Sequence, residues 1–289
     1  MDKRTLRALL ALAAGLLLCA PAAAAAQQPR IINGTVPTQA WPAQTSVYNT
    51  SSRGLCGGTL VSARWVMTAG HCVTSSGGLL AASTFRLNIG TTSRNVPAGV
   101  IPDQPVALHP GYVDSESAPL NDLALLHLPA PVPQEPLAII GAAPRDTEFW
   151  APGIPGTILG WGHTGSGTSD NQLLQAGVPM ITDAACADAW SDFSAATMVC
   201  AGGVQSDTCG GDSGGPLMVP RLGAYALVGV TSWGSGRCES NYPGPGNPIR
   251  PGAYARLGDP AINKWVSDLV PHLAYGAVVT TTMDAFDRP

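Results

Sequence analysis

Residues 58–69, GTLVSARWVMTA, hold two short runs of apolar and β-branched residues, GTLVS and RWVMTA, broken at Ser62 and Ala63. Each run is too short for a stable helix, and Thr, Val and Trp favour extended backbone. Similar runs recur as FRLNIG (85–90), DLALLHL (122–128), GTILGWG (156–162), YALVGVTSW (225–233) and GAYARL (252–257), separated by stretches rich in Gly, Pro, Ser and Asn. Short strands at loop-sized intervals predict an all-β barrel or sandwich architecture, and 289 residues suit two barrels on one chain.

Near the C-terminus the pattern changes. Asp259 and Pro260 suit the N-cap and first helical position, and Ile262, Trp265, Val266 and Leu269 recur at helical spacing, so a terminal helix is expected there. A second, short helix is expected over 182–190. The tail AYGAVVTTTMDAFDRP (274–289) shows no helical period, which leaves disorder and an added strand as the alternatives.

At the other end, Lys3, Arg4 and Arg7 precede an uncharged run rich in Leu and Ala (8–20), and PAAAAA (21–26) ends in small residues suited to cleavage near Ala26. This reads as an export signal rather than a retained anchor: Pro21 and the alanines suit processing, and no later segment is apolar enough to span a bilayer. The expected destination is extracellular. The segment through Arg30 carries Lys3, Arg4, Arg7, Arg30 and Asp2, so the 15 basic and 19 acidic residues of the whole chain fall to 11 and 18, a net charge of -7. Such a balance argues against a nucleic-acid partner.

Of seven cysteines, Cys19 lies in the signal, leaving Cys56, Cys72, Cys186, Cys200, Cys209 and Cys238. An even number in an exported chain predicts three disulfides, and spacing alone does not choose their connectivity. No Cys-x-x-Cys suggests zinc.

GDSGGP (211–216) on its own is an ordinary glycine-rich turn. Two other stretches change its weight: TAGHC (68–72) sets His71 just beyond a strand, and NDLALL (121–126) sets Asp122 at the start of another. A lone His is usually a packing residue and a lone Asp before a strand is usually solvated. Here both occur with a serine, in the order His, Asp, Ser.

Together with IINGT (31–35), CGGTLVSARWVMTAGHC (56–72), ILGWG (158–162), DTCGGDSGGP (207–216), TSWG (231–234) and PGAY (251–254), these motifs resemble the chymotrypsin/trypsin family of serine proteases over residues 31 to about 271. The resemblance implies two six-stranded antiparallel Greek-key barrels with a C-terminal helix, catalytic groups in the cleft between them, and peptide-bond hydrolysis. It implies that Ser213 is the nucleophile, that His71 takes its proton, that Asp122 orients His71, and that Ser232 supports Asp122. The N–H groups of Gly211 and Ser213 would form an oxyanion hole. Asp207 would hold the cationic side chain of a substrate Arg or Lys in a pocket bounded by Thr208, Ser232, Trp233, Gly234 and Gly252. Cleavage after Arg30 would free an α-ammonium on Ile31 to pair with Asp212, making the chain a zymogen with a propeptide at 27–30. The disulfides implied are Cys56 with Cys72, Cys186 with Cys200, and Cys209 with Cys238. No cofactor or metal is expected. Partners would be protein or peptide substrates and protein inhibitors of proteases, with no membrane contact after signal removal and a monomer as the default state.

The chain departs from the family pattern in two places. SGRC (235–238) inserts Arg237, and the lengthened CESNYPGPGNPIRPG (238–252) adds Arg250. Either cation would, on one reading, pair with Asp207 and restrain the pocket; on the plainer reading both are solvated. The region that carries a calcium loop in animal trypsins, NIGTTSRNVPAGVIPDQP (88–105), has Asp103 as its only acid, so no calcium site is expected. Sequons at Asn33 and Asn49 are weak signals, since a glycan at Asn33 would hinder burial of Ile31. Two other functions compete: a protease-like binding protein, disfavoured because binding alone requires no intact His71, Asp122 and Ser213, and an esterase, disfavoured because Gly-x-Ser-x-Gly elbows belong to α/β chains.

Overall fold

The computed structural model describes residues 31–76, 78–93, 99–103, 106–115, 117–143, 148, 151–162, 171–203, 206–235, 250–271 and 273. The expected signal, propeptide and tail, together with Arg30, Arg237 and Cys238, lie outside the described residues.

The strands in chain order are β1 (Gln44–Asn49), β2 (Leu55–Ser62), β3 (Trp65–Thr68), β4 (Thr74–Ser75), β5 (Gly78–Leu79), β6 (Phe85–Ile89), β7 (Ala107–Leu108), β8 (Ala124–His127), β9 (Ala138–Ile139), β10 (Pro155–Gly160), β11 (Leu174–Ile181), β12 (Met198–Ala201), β13 (Pro216–Arg221), β14 (Ala224–Trp233) and β15 (Gly252–Arg256). The opening stretch forms β2 and β3, which pair antiparallel with Thr59 opposite Met67. They sit inside a six-stranded sheet of order β6-β1-β2-β3-β8-β7. The later strands run β13-β10-β11-β12-β15-β14, and a further pairing of β13 with β14 closes this second set into a barrel.

Two details refine the expectation of twin barrels. Among the described residues β6 and β7 do not pair directly; the first barrel is instead joined by the Leu87–Val100 bridge on the segment leading to β7, with both backbone hydrogen bonds at 2.8 Å, and by Asp103 N–H donating to the His127 carbonyl at 3.3 Å. The second barrel also carries β9 as a parallel partner of β14, with Ala138 opposite Ala226. Ala138 and Ile139 belong to the segment that connects the barrels, so the connector itself is hydrogen-bonded into the second barrel's wall.

Strand alternation sets the core. Along β11, Leu174, Ala176, Val178 and Met180 are buried and Gly177 and Pro179 are exposed, the period of a sheet with one solvated face. Interior β2 instead buries Gly57 through Val61 consecutively, because both its faces are covered. Leu60, Leu87, Leu125, Ile158, Leu217 and Tyr254 all belong to one continuous apolar cluster spanning both barrels.

Among the described residues two α-helices span Asp183–Ala189 and Pro260–Leu269. Thr182 caps the first through its side chain and Trp190 follows it, one residue inside the expected limits at each end. Asp259 caps the second by accepting from Ala261 and Ile262 N–H at 3.0 and 2.9 Å. The second helix crosses onto the first barrel, where Trp265 meets His109 edge-on with ring centroids 4.9 Å apart. Buried Asn263 donates to the Ile140 carbonyl in the connector at 2.9 Å. Asp259→Ala removes the cap and is expected to lower stability by about 1 kcal/mol, or a few degrees in Tm. An unchanged thermal melt would mean that packing, not the cap, holds this helix.

Candidate active site

Three backbone segments from the two barrels converge at one cleft. His71 lies in the single 3-10 turn Gly70–Cys72 that follows β3. Gly70 allows the turn because a Cβ there would fall 2.8 Å from the Tyr112 ring. The Cys56–Cys72 disulfide ties the turn to β2. Asp122 precedes β8 and is 1% exposed. Its Oδ1 accepts from the His71 backbone N–H at 2.8 Å, while Oδ2 faces His71 Nδ1 at 2.8 Å and accepts from Ser232 Oγ at 2.5 Å. A carboxylate oxygen so placed directs the proton of a neutral imidazole to Nδ1, leaving Nε2 as a hydrogen-bond acceptor. Burial of the His71 ring is the strongest influence on its pKa and lowers it, but the charge and hydrogen bond of Asp122, with Asp114 beyond, together outweigh that and raise it above 6.5.

Ser213 is held between the barrels by its own backbone. Gly57 N–H donates to the Ser213 carbonyl at 2.7 Å, and Gly214 N–H donates to the Thr231 carbonyl at 2.8 Å. Gly211 and Gly214 take φ of 96° and 79°, the left-handed region in which a side chain is strained. Gly214 also passes so close to Thr68 that a Cβ would collide with its hydroxyl. The tight loop leaves the Gly211 and Ser213 N–H groups without an acceptor among the described residues. No hydrogen bond joins Ser213 Oγ to His71 among the described residues; such contacts are often loose before substrate binds.

A cavity of about 240 Å³ runs from Ser213 to Asp207. Gly234 and Gly252 form facing walls, a Cβ on Gly234 lying only 3.7 Å from Gly252 Cα, and a Cβ on Gly252 would approach Asp207 Oδ1 to 2.7 Å. Thr208, Ser232 and Trp233 complete the lining. Asp207 forms no ion pair with any described residue, and Thr208 N–H donates to its Oδ1 at 2.8 Å. Burial pushes its carboxyl up to about 7, against hydrogen bonds from Thr208 and Gly252 that lower it. Beneath it lies Tyr254, fully buried and kept a neutral phenol by that burial, its hydroxyl near Thr208 without a hydrogen bond of ordinary geometry.

Arg250 is neither paired with Asp207 nor simply solvated. Its guanidinium lies over the Trp190 ring, 4.9 Å from the centroid, and Trp190 meets Trp233 edge-on at 4.9 Å. Trp190 Nε1 donates to the Pro251 carbonyl at 2.8 Å, so the stack braces the pocket wall from outside. Asp103, the lone acid of the calcium-loop region, faces His127 Nδ1 at 2.7 Å.

Ile31, 0% exposed, sits in the core, and Ile32 N–H donates to the Asp207 carbonyl at 2.9 Å, so the start of the fold buttresses the pocket floor. Asp212 is fully buried, accepting from Gly162 N–H at 2.7 Å and Cys209 N–H at 2.9 Å. Gly160 and Gly162 make room for it, since a Cβ on either would collide with the carboxylate. Sequence reading noted ILGWG and PGAY as motifs without seeing that Gly160, Gly162 and Tyr254 serve Asp212 and Asp207. Nothing local marks them, because each faces a partner far along the chain. Trp190 was likewise missed.

Cys56–Cys72 and Cys186–Cys200 are bonded as implied, and Cys209 is disulfide-bonded as well. Cys56, His71 and Cys72 cluster within 4.8 Å, but the two sulfurs are bonded to each other and offer no thiolate to a metal. Among the described residues no helix is long and apolar enough to cross a membrane.

The Trypsin family matches residues 31–256. The chain belongs to the trypsin family of serine proteases. The protease is 36% identical over 225 residues to Trypsin of Saccharopolyspora erythraea, covering 75% of this chain and 88% of that one. It is 35% identical over 250 residues to Trypsin 5G1 of Aedes aegypti, covering 83% and 85%, and 36% identical over 216 residues to Chymotrypsin-like elastase family member 1 of Bos taurus, covering 71% and 79%. The protease is thus a serine endopeptidase with a double-barrel fold and protein or peptide substrates, and its disulfides fit the extracellular setting general to the family.

Proposed function

We propose that this endopeptidase is secreted and cleaves after Arg or Lys, with residues 1–26 a signal, 27–30 an activation propeptide, 31–271 the protease domain and 272–289 an appended tail. The observation that carries the specificity is Asp207: a carboxyl buried at the end of a 240 Å³ cavity, with no cation beside it among the described residues. A guanidinium or ammonium supplies the missing charge, whereas an apolar side chain leaves it unmet.

In this reading Ser213 Oγ attacks the scissile carbonyl as its proton passes to His71 Nε2. Asp122 holds the Nδ1 proton and stabilises the imidazolium. The oxyanion accepts from the free N–H groups of Gly211 and Ser213. Collapse expels the amine, which takes the proton from Nε2, and water then hydrolyses the acyl-enzyme with His71 again as base. Burial of Ile31 and Asp212 supports activation by cleavage at Arg30, since a new α-ammonium is a natural counter-charge for an interior carboxylate.

The test is mass-spectrometric mapping of cuts in a peptide library, using protein beginning at Ile31 and Ser213→Ala as control. Cuts after Arg and Lys that vanish in the control support the proposal; cuts after other residues remove the role given to Asp207. A pH profile adds a second check. Protonation of His71, above 6.5, removes the base, and protonation of Asp207, near 7, removes the charge that binds substrate. The plot of log kcat/KM for an Arg substrate is therefore expected to steepen towards a slope of about two protons per pH unit below pH 6. A slope that stays near one would show that Asp207 is already ionised there.

A further inference from the structure

Beside His71 the chain between Gly111 and Asp122 doubles back on itself, and the triad alone gives this loop no role. Val113 and Leu120 pair across it, with backbone hydrogen bonds of 3.1 and 3.2 Å. Asn121 Nδ2 donates to the Gly111 carbonyl at 2.8 Å and closes the base of the loop one residue before Asp122. Tyr112 anchors the loop to the His71 turn. A Cβ on Gly70 would fall 2.8 Å from the Tyr112 ring, and Thr74 Oγ1, which donates to the Gly70 carbonyl at 3.2 Å, lies 3.3 Å from the Tyr112 hydroxyl.

Asp114 stands on this loop two residues beyond Tyr112. It is exposed, and its Oδ1 accepts from the Tyr112 hydroxyl at 3.2 Å. Burial pushes the Tyr112 phenol up to about 12, so the group stays a neutral donor at any pH at which the protease works. No described Lys or Arg pairs with Asp114. Its charge is felt at the reacting centre: burial acts downward on the pKa of His71, Asp122 acts upward, and Asp114 adds to the upward pull.

A peptide whose scissile bond reaches both Ser213 and His71 has to carry its neighbouring residues past this loop. The cleft thus presents a held carboxylate on its His71 side, besides Asp207 at the end of the cavity. An exposed carboxylate attracts a passing cation modestly and loses that attraction as salt screens it, and the half-buried Tyr112 ring next to it offers a surface to the alkyl stem of Arg or Lys.

We propose that Asp114 is a second specificity-determining residue, which selects substrates carrying an Arg or Lys within three residues of the scissile bond. The inference rests on Ser213 and His71 as the reacting pair but not on what fills the Asp207 pocket. Where that pocket takes Arg or Lys, the preferred substrate carries two cations close together, one for each carboxylate.

Cleavage of a peptide library by protein beginning at Ile31 first gives the side chain favoured at the scissile position. Matched peptides then keep that residue and vary each of the three positions on either side among Arg, Gln and Glu. At about 0.05 M salt, kcat/KM is expected to favour Arg over Glu by about 5- to 10-fold at one of these positions, and by less than about 2-fold at 1 M salt. At low salt Asp114→Asn is expected to bring the ratio within about 2-fold and Asp114→Lys to reverse it. Asp103→Asn removes an equal charge at the other end of β8, beside His127, and is expected to keep the ratio of the parent. Equal cutting of the matched peptides by the parent would overturn the proposal, as would a ratio that survives Asp114→Asn or falls as far in Asp103→Asn. Failure of the parent to cut any peptide of the library would overturn the reading of Ser213 and His71, and the proposal with it.

Discussion

Asp207→Asn is expected to lower kcat/KM for Arg and Lys substrates by about 10³- to 10⁴-fold while making the folded protein more stable at pH 8. The loss follows from trading a charge for a dipole at the end of a cavity whose other lining residues, among them Thr208, Ser232, Trp233, Gly234 and Gly252, carry no charge. The gain follows from linkage. Burial raises the Asp207 carboxyl from 3.8 to about 7, so the native state favours the protonated form. Stability associated with that form is complete below pH 3.8 and is lost as the pH rises to about 7. Above pH 7 the native protein therefore carries an ionisation cost on the order of a few kcal/mol that the Asn variant escapes. Thermal melts at pH 5 and pH 8 check this: the advantage of the variant is expected to grow with pH. Equal melts at both, or a kcat/KM loss under about 10-fold, would show that Asp207 neither bears this cost nor reads the substrate charge.

Asp122→Asn is the second large effect. An amide in this position presents an N–H₂ group to at least one of the three donors now held by Asp122: the His71 backbone N–H, His71 Nδ1 and Ser232 Oγ. If that group faces Nδ1, the imidazole is forced into the tautomer with its proton on Nε2, where it cannot accept from Ser213. The expected outcome is a fall in kcat of about 10⁴-fold with little change in KM, a magnitude carried over from the triad of this family rather than derived from the present distances. The raised pKa of His71 should also drop, since burial would then act without the opposing carboxylate. A kcat within about 10-fold of the parent would remove Asp122 from the proton relay.

Stability and function meet in the same residues of the second barrel. The N–H of Ile32 supports the pocket floor, the disulfide at Cys186–Cys200 and the Arg250–Trp190–Trp233 stack support its wall, and Gly162 and Cys209 hold Asp212 beside Ser213. None of these contacts reaches a substrate. They fix a loop whose useful feature is a pair of N–H groups left without acceptors, and such strained, unsatisfied geometry persists only where the surroundings over-determine it.

What the sequence by itself determined is local. Alternating and apolar runs specified strands, Asp259 and Pro260 specified the start of a helix, and the flanks of His71, Asp122 and Ser213 marked those residues as a set. Periodicity, capping and turn chemistry act over a few residues, and so they can be read in a few residues. The tertiary structure alone decided which of the remaining residues face one another. Gly160 and Gly162 admit Asp212, Tyr254 lies under Asp207, and Arg250 stacks on Trp190 instead of closing the pocket. It also decided that the second barrel closes through β13 and β14 while the first is joined through the Leu87–Val100 bridge, and that Gln44 stands opposite Thr59 with neither side chain hydrogen-bonded among the described residues. These outcomes depend on sheet register and on how two barrels share one core, and a side chain's neighbours across a sheet are set by strands that can lie anywhere along the chain.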